Sequence, residues 1–343
     1  MSGWLDRVKQ VAAWALGGLC LSVLLARVAL AGDFPAELHI TYVKQPFNLQ
    51  NMLLKNQSRL EEAFKAKGTK VVWHTISAGT QQLQGLAAGS LDVTAAMNTT
   101  TLLLARSQGV AIKAIAGVAH PSDLFALVSQ APLTPNTLKG MVFAGPKGTI
   151  MHQLLWKVLR DAGLTLNDVT LLTMDPTHAL ASLQTGRTQG ALLVGHLVTS
   201  AQEAGFNHTV SATGRLDPTL VMVARDAFLT TYPEAAQLLR QIARETYDWM
   251  MSHPEEAIAI GAKEQGISLE EARRLFTGSH FFFDLTERET RALRDDALFL
   301  RETGLVPASA IEPTLSKIVA ADTPSFSYGD TAAFFAIELG KIK

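Results

Sequence analysis

One frame of apolar and polar positions is written twice along the chain. Counting from Thr80, leucines fall at plus three and plus six (Leu83, Leu86), a glycine at plus nine (Gly89) and a polar side chain, Asp92, at plus twelve. Counting from Thr177 returns the same frame in Leu180, Leu183, Gly186 and Gln189. The leucine spacing predicts one apolar helix face in each copy, a threonine suits its N-terminal cap, and the glycine suits the left-handed residue that ends it. Each copy then runs into an apolar strand. Two such strand-loop-helix-strand units predict two α/β lobes, whose ligand lies outside the carboxyl ends of the strands.

The rest of the chain fills in around the repeat. Glu37 to Val43 alternates as a strand and stops at Lys44-Gln45-Pro46, since proline cannot continue a ladder, so Gln45 is expected at a strand's carboxyl end. Asn51 to Lys67 reads as helical and Val71 to Ile76 as a strand, which leads into the loop Ser77-Ala78-Gly79-Thr80. Asn98-Thr99-Thr100-Thr101 is expected to form a polar loop before a helix over 102–108, the threonines serving either as caps or as ligand contacts. Strands are predicted over 111–118 and 124–129, the second beginning a crossing between lobes. Met141 to Ala144 is a further strand, followed by the loop Gly145-Pro146-Lys147-Gly148-Thr149 and a helix from Ile150. That loop lacks the G-x-x-x-x-G-K-[ST] spacing, which excludes a nucleotide phosphate site there. Gly214 to Pro218 reads as the return crossing, Leu220 to Ala224 as a strand, and the remainder as mostly helical. The expected division is 32–123 with 217–320 as one discontinuous lobe, 124–216 as the other, and 321–343 as a C-terminal tail.

Composition adds compartment and charge. Of 343 residues, 48% are hydrophobic, enough for packed cores. Arg7 and Lys9 precede an apolar run over 11–26, and Ala29-Leu30-Ala31 follows, the pattern of a secretory signal peptide over 1–31 with cleavage before Gly32. The competing reading is a retained membrane anchor. The single cysteine, Cys20, lies inside that run behind the bulky Leu19, so the exported chain would have no thiol for a disulfide or a metal. Removing three basic side chains (Arg7, Lys9, Arg27) and one acidic one (Asp6) from totals of 30 and 31 leaves 27 against 30. Nothing in that balance calls for nucleic acid. The expected compartment is the periplasm.

H-E-x-x-H, G-x-S-x-G and G-x-G-x-x-G are all absent, which argues against the commoner hydrolase and cofactor classes. No cofactor and no metal are expected, and a catalytic cluster of His152, His178 and His196 is the minority reading. The ligand site is predicted from Gln45, Ser77, Thr80, Asn98, Thr99, Thr149, His152, His178 and His196, each after a strand or at a helix start. None is a carboxylate or an arginine. Helix N-termini at Thr80, Thr100, Thr149 and Thr177 would favour an anion.

Several segments together resemble the periplasmic solute-binding proteins of ABC importers, in the family that binds aliphatic sulfonates, taurine, nitrate and thiamine-type pyrimidines. They are Ser77-Ala78-Gly79, the run Leu86 to Val93, Leu138-Lys139-Gly140, Lys147-Gly148-Thr149 with His152, Ala162-Gly163-Leu164, Tyr232-Pro233-Glu234, and His253 to Ala257. The resemblance implies a two-lobed type II periplasmic-binding-protein fold, each lobe a mixed sheet flanked by helices, with two crossover strands at the hinge. It also implies a monomeric, non-enzymatic binding protein that closes on one small molecule and serves a membrane permease. Asn98 to Thr101 stands where sulfonate binders of the family tend to carry a Gly-Asp-x-Pro-like segment, and Gly195-His196-Leu197 near a Trp-Asp-Pro-like one, so ligand identity transfers less well than fold. A sulfonate-like anion is the first expectation; a neutral pyrimidine or aromatic compound, or a periplasmic enzyme or sensor on this fold, is the alternative.

Overall fold

The computed structural model describes residues 33–76 and 78–307. In chain order the first part runs β1 (Glu37–Tyr42), α1 (Leu49–Asn56), α2 (Arg59–Lys65), β2 (Lys70–Thr75), α3 (Gly79–Ala88), β3 (Val93–Asn98), α4 (Thr99–Ser107) and β4 (Ile112–Ala119). Then follow β5 (Phe125–Ser129), α5 (Pro135–Leu138), β6 (Val142–Gly145), α6 (Ile150–Asp161), β7 (Thr170–Thr173), α7 (Pro176–Gln184), β8 (Gly190–Val194), α8 (His196–Glu203) and β9 (His208–Ser211). The chain closes with β10 (Leu220–Arg225), α9 (Asp226–Thr231), α10 (Pro233–Ser252), α11 (Pro254–Gln265), α12 (Leu269–Ser279) and α13 (Glu287–Glu302).

These strands form two five-stranded sheets with the same plan. Their orders are β2-β1-β3-β10-β4 and β7-β6-β8-β5-β9. In each sheet the fourth strand is antiparallel to its neighbours, and that strand is the one arriving from the other sheet. The chain therefore crosses twice, between β4 and β5 and between β9 and β10. Helices cover both faces of each sheet, so inner strands read as nearly unbroken apolar runs: all five residues of β8 are buried, whereas β7 at the edge is not.

The first sheet packs Leu38, Ile40, Phe64 and Leu239 on one face and Leu86, Leu103, Val223 and Phe299 on the other. The second packs Phe125 and Phe143 with Leu154 of α6, and Val128 and Leu193 with Leu183 of α7 and Leu197 of α8. Trp156 of α6 reaches the first lobe and packs edge-on to Phe299 of α13, centroids 5.7 Å apart. The lobes thus abut through α6 and α13.

The sequence frame is right in period and off in phase at the helix starts. Gly89 and Gly186 do end their helices, at φ 76° and 70°. The caps, however, are Ala78 and Asp175, two residues ahead of Thr80 and Thr177. At α7 the physical reason is plain: the Asp175 carboxylate accepts the N–H groups of Thr177 and His178 at 2.9 and 3.1 Å, and Pro176 sits in the first turn where its missing N–H is not needed. The polar loop expected at 98–101 is instead a capped helix start, with Asn98 accepting the Thr101 N–H at 2.8 Å and Thr99 to Thr101 forming the buried first turn of α4. The signal peptide with Cys20, Ser77 and the tail 321–343 lie outside the described residues. Among the described residues, no helix is long and apolar enough to cross a membrane.

Candidate functional site

Loops at the carboxyl ends of the parallel strands of both sheets meet around one cleft of about 350 Å³. From the first lobe, Val43, Gln45, Pro46 and Asn48 follow β1, Gly79 to Gln82 open α3, and Ala96, Met97 and Asn98 end β3. From the second, Lys147 and Thr149 lie between β6 and α6 with Met151 in the first turn of α6, Met174 and Asp175 lie between β7 and α7 with Pro176 opening α7, and Val194 ends β8. The antiparallel strands contribute their first residues, Phe125 and Leu220. This is where open α/β sheets present loops and helix N-termini to a ligand.

Of the residues named from sequence, Gln45, Thr80, Asn98 and Thr149 line this cleft. Thr99 does not; its hydroxyl is turned away and donates to Asp296 at 2.6 Å. His152 lies buried behind the wall, where its Nδ1 accepts the Gly148 N–H at 3.2 Å and its ring meets Phe299 edge-on. Burial, with the Lys147 charge adding to it, holds His152 down to about 4, so it is neutral near pH 7. His178 is exposed and paired with Asp175. His196 is half-buried, and burial lowers it, opposed by neighbouring Gln265 and by the Glu271 charge. The three histidines are dispersed, and among the described residues no group of three or more His, Cys, Asp or Glu is placed to hold a metal.

The lining residues missed from sequence are informative. Lys147 and Asp175 are the charged residues of the wall. Lys147 belongs to the Gly145 to Thr149 loop, whose lack of a nucleotide spacing obscured its position beside the cleft. Asp175-Pro176 is a helix-start signal in its own right, hidden by the threonine frame of the repeat. Burial would raise the Asp175 carboxyl, but hydrogen bonds from His178 and Thr177 outweigh it and hold it below its usual value. Met97, Met151 and Met174 with Phe125 supply the apolar part of the wall, and thioethers adapt to varied shapes.

Helix N-termini divide into two kinds here. Those of α4 and α7 are closed by their own side chains, Asn98 and Asp175. Those of α3 and α6 have no side-chain cap: Ala78 has none to offer, and the Thr149 hydroxyl donates to the Pro146 carbonyl at 2.9 Å rather than accepting. Their first N–H groups are left for another acceptor. The two helices come from opposite lobes, and their first turns both line the cleft. Gly195 brings the lobes together at the rim; with φ at 61° it has no room for a side chain, since a Cβ would stand 2.5 Å from the Pro46 carbonyl oxygen.

Known proteins resemble this chain in sequence and in fold. A putative aliphatic sulfonates-binding protein of Escherichia coli (strain K12) is 28% identical over 278 residues, covering 76% of this chain and 81% of that protein. The taurine-binding periplasmic protein of the same organism is 26% identical over 262 residues, 72% of this chain and 82% of its own. Among solved structures, the alkanesulfonate-binding protein SsuA from Xanthomonas axonopodis pv. citri, bound to MOPS, superposes with a TM-score of 0.70 at 22% identity, over 82% of this chain and 98% of that one. The fold is that of the periplasmic binding proteins. Residues 63–257, well over half of the chain, match the family described as NMT1/THI5 like, and the chain belongs to that family.

Proposed function

We propose that this protein captures a small anion, a sulfonate before others, in the cleft between its lobes and delivers it to the permease of an ABC importer. The observation that carries the reading is the pair of uncapped helix N-termini, α3 and α6, facing one cleft from opposite lobes. Each favours an anion by about 0.3–1 kcal/mol when exposed and up to about 2 when partly buried. Lys147 adds one full positive charge, and the methionines and Phe125 suit an apolar substituent on the anionic group. A weakly basic oxyanion needs donors more than it needs a counter-charge. The names of the relatives support the same class.

The division into 32–123 with 217–320 against 124–216, closure about the two crossing segments, export with loss of residues 1–31, a monomeric state and the absence of catalysis belong to this proposal. Melting temperature measured against taurine, butanesulfonate, nitrate, short carboxylates and pyrimidines tests the ligand class, because saturating a site that exists only in the folded chain stabilises it by about 2.7 kcal/mol at a hundredfold excess over Kd. Stabilisation by sulfonates is expected. Stabilisation by pyrimidines alone would replace the anion reading with the neutral one, and turnover of any compound would replace binding with catalysis. Mass spectrometry of the exported chain tests removal of residues 1–31.

A further inference from the structure

α8 meets the first lobe at two places one turn apart. At its N-terminal cap, Gly195 lies against the Pro46 carbonyl. One turn on, the Thr199 hydroxyl donates to Glu271 Oε1 of α12 at 3.0 Å. The same hydroxyl accepts from Arg274 Nη2 at 2.8 Å, and Arg274 is itself bonded to Glu271 at 2.6 and 2.8 Å. α8 buries Leu197 and Ala201 in the core of the second sheet, while α12 buries Ala272 and Leu275 in one cluster with Leu49 and Met52 of α1. One hydroxyl of the second lobe is therefore inserted into an ion pair of the first.

Glu271 has a local use for its carboxylate and does not take it. Ser268-Leu269-Glu270-Glu271 has the spacing of a capping box, and the Ser268 hydroxyl does accept the Glu271 N–H at 3.1 Å. At the start of α13 the matching box is closed, the Glu289 carboxylate accepting the Thr286 N–H. At α12 the second half is exchanged, and the carboxylate bonds Arg274 and Thr199 instead. An ion pair three residues apart on a half-exposed helix face adds little by itself. Held in one geometry, however, it offers Thr199 an acceptor and a donor together, the two bonds that a hydroxyl can use at once. The Arg274 bonds hold the Glu271 carboxyl below its usual value against its own burial, so at neutral pH both partners of Thr199 are full charges and both bonds are charge-assisted.

We propose that Thr199 is a positioning residue: inserted between Glu271 and Arg274, it clasps α8 to α12 and fixes how closely the two lobes approach around the cleft. The proposal rests on reading the cleft as the ligand site. α8 follows directly from β8, whose last residue, Val194, lines the cleft, so the clasp acts on the wall without touching the ligand. Releasing it frees the end of β8 to move away from the first lobe, and the effect on binding falls mainly on dissociation.

Spin labels on opposite lobes test this directly. Ala66 and Ala181 are exposed, so the full chain carrying Cys20→Ser, Ala66→Cys and Ala181→Cys reports lobe separation by pulsed electron spin resonance. Without ligand, the parent should give one narrow distance. Thr199→Val, which keeps the shape and removes both bonds, should give a longer and broader distribution, and butanesulfonate should leave it about tenfold faster or more, the loss of a hydrogen bond to a charged group. Thr199→Ser keeps the hydroxyl and should restore both readouts. Arg274→Met removes the donor from the first lobe's side, should act as Thr199→Val does, and serves if that variant fails to fold. Variants that keep the parent's distances and dissociation rate, or a serine that restores neither, would overturn the clasp. A parent that ignores butanesulfonate would count against the cleft reading, a separate failure, and the ligand-free distances would still decide the clasp.

Discussion

Asp92 and Gln189 hold the same place in the two lobes and do the same work there. The Asp92 N–H donates to the His39 carbonyl at 2.8 Å, and its Oδ2 accepts the His39 N–H at 2.9 Å. The Gln189 N–H donates to the Val142 carbonyl at 2.9 Å, and its Oε1 accepts the Val142 N–H at 2.8 Å. Each repeat thus delivers, after its helix and glycine, one side chain that ties the incoming strand to its parallel neighbour, β1 in the first lobe and β6 in the second.

The two differ in what else they hold, and stability should show it. Asp92 also binds Arg225 at 2.6 Å and is nearly buried, whereas Gln189 is exposed. Asp92→Ala should cost on the order of 3 kcal/mol, because it leaves a guanidinium and a backbone N–H without their acceptor. Gln189→Ala should cost about 1 kcal/mol. Urea unfolding of the two variants decides the matter; equal losses would mean that the Arg225 pair contributes nothing.

Acid stability should be divided between two groups of opposite sign. His152, held down to about 4 against an ordinary 6.5, contributes stability that is present above 6.5 and lost as pH falls through about 4. Asp296, pushed up to about 6 against an ordinary 3.8, contributes stability that is present below 3.8 and lost as pH rises through about 6. Each effect is on the order of 3 kcal/mol, and the two largely offset each other between pH 4 and 6.5. Urea midpoints measured across that window should therefore change little in the parent, fall steeply toward acid in Asp296→Asn, and rise toward acid in His152→Gln. Two variants with parallel pH profiles would show that neither group titrates as its surroundings dictate.

Gly195 is where closeness of the lobes is most exposed to test. An alanine there meets the Pro46 carbonyl at 2.5 Å and a left-handed φ of 61°, so the rim must separate or the turn must change. Gly195→Ala should keep its circular dichroism spectrum and lose about tenfold or more in sulfonate affinity, as a displaced contact typically costs more than one kcal/mol. Undiminished affinity would show that the rim contact is incidental to binding.

The anion site itself predicts a split between the charge of Lys147 and the hydroxyls at the two helix starts. Lys147→Gln should weaken sulfonate binding and flatten its salt dependence, since the long-range component of the attraction is screened by ions. Thr80→Ala with Thr149→Ala should weaken binding beyond any loss of fold stability while leaving the salt dependence in place. Calorimetric titration at two ionic strengths separates these outcomes, and binding as tight as the parent's in all variants would remove the site from this cleft.

The repeat, its period and its closing glycines were legible in the sequence because they are local: leucine spacing and a left-handed glycine follow from the helix itself. Gln45, Thr80, Asn98 and Thr149 were reachable for the same reason, since strand ends and helix starts in an α/β lobe point to one side. Which polar residue faces the cleft was decided elsewhere. Thr99 and Asn98 are neighbours, yet one lines the cleft and the other bonds Asp296, nearly two hundred residues away in the chain. His152 sits one turn from Thr149 but turns toward Phe299 of α13. Those choices depend on a helix that no local pattern ties to the repeat, and only packing α13 against α4 and α6 assigns each side chain to the cleft or to the wall behind it.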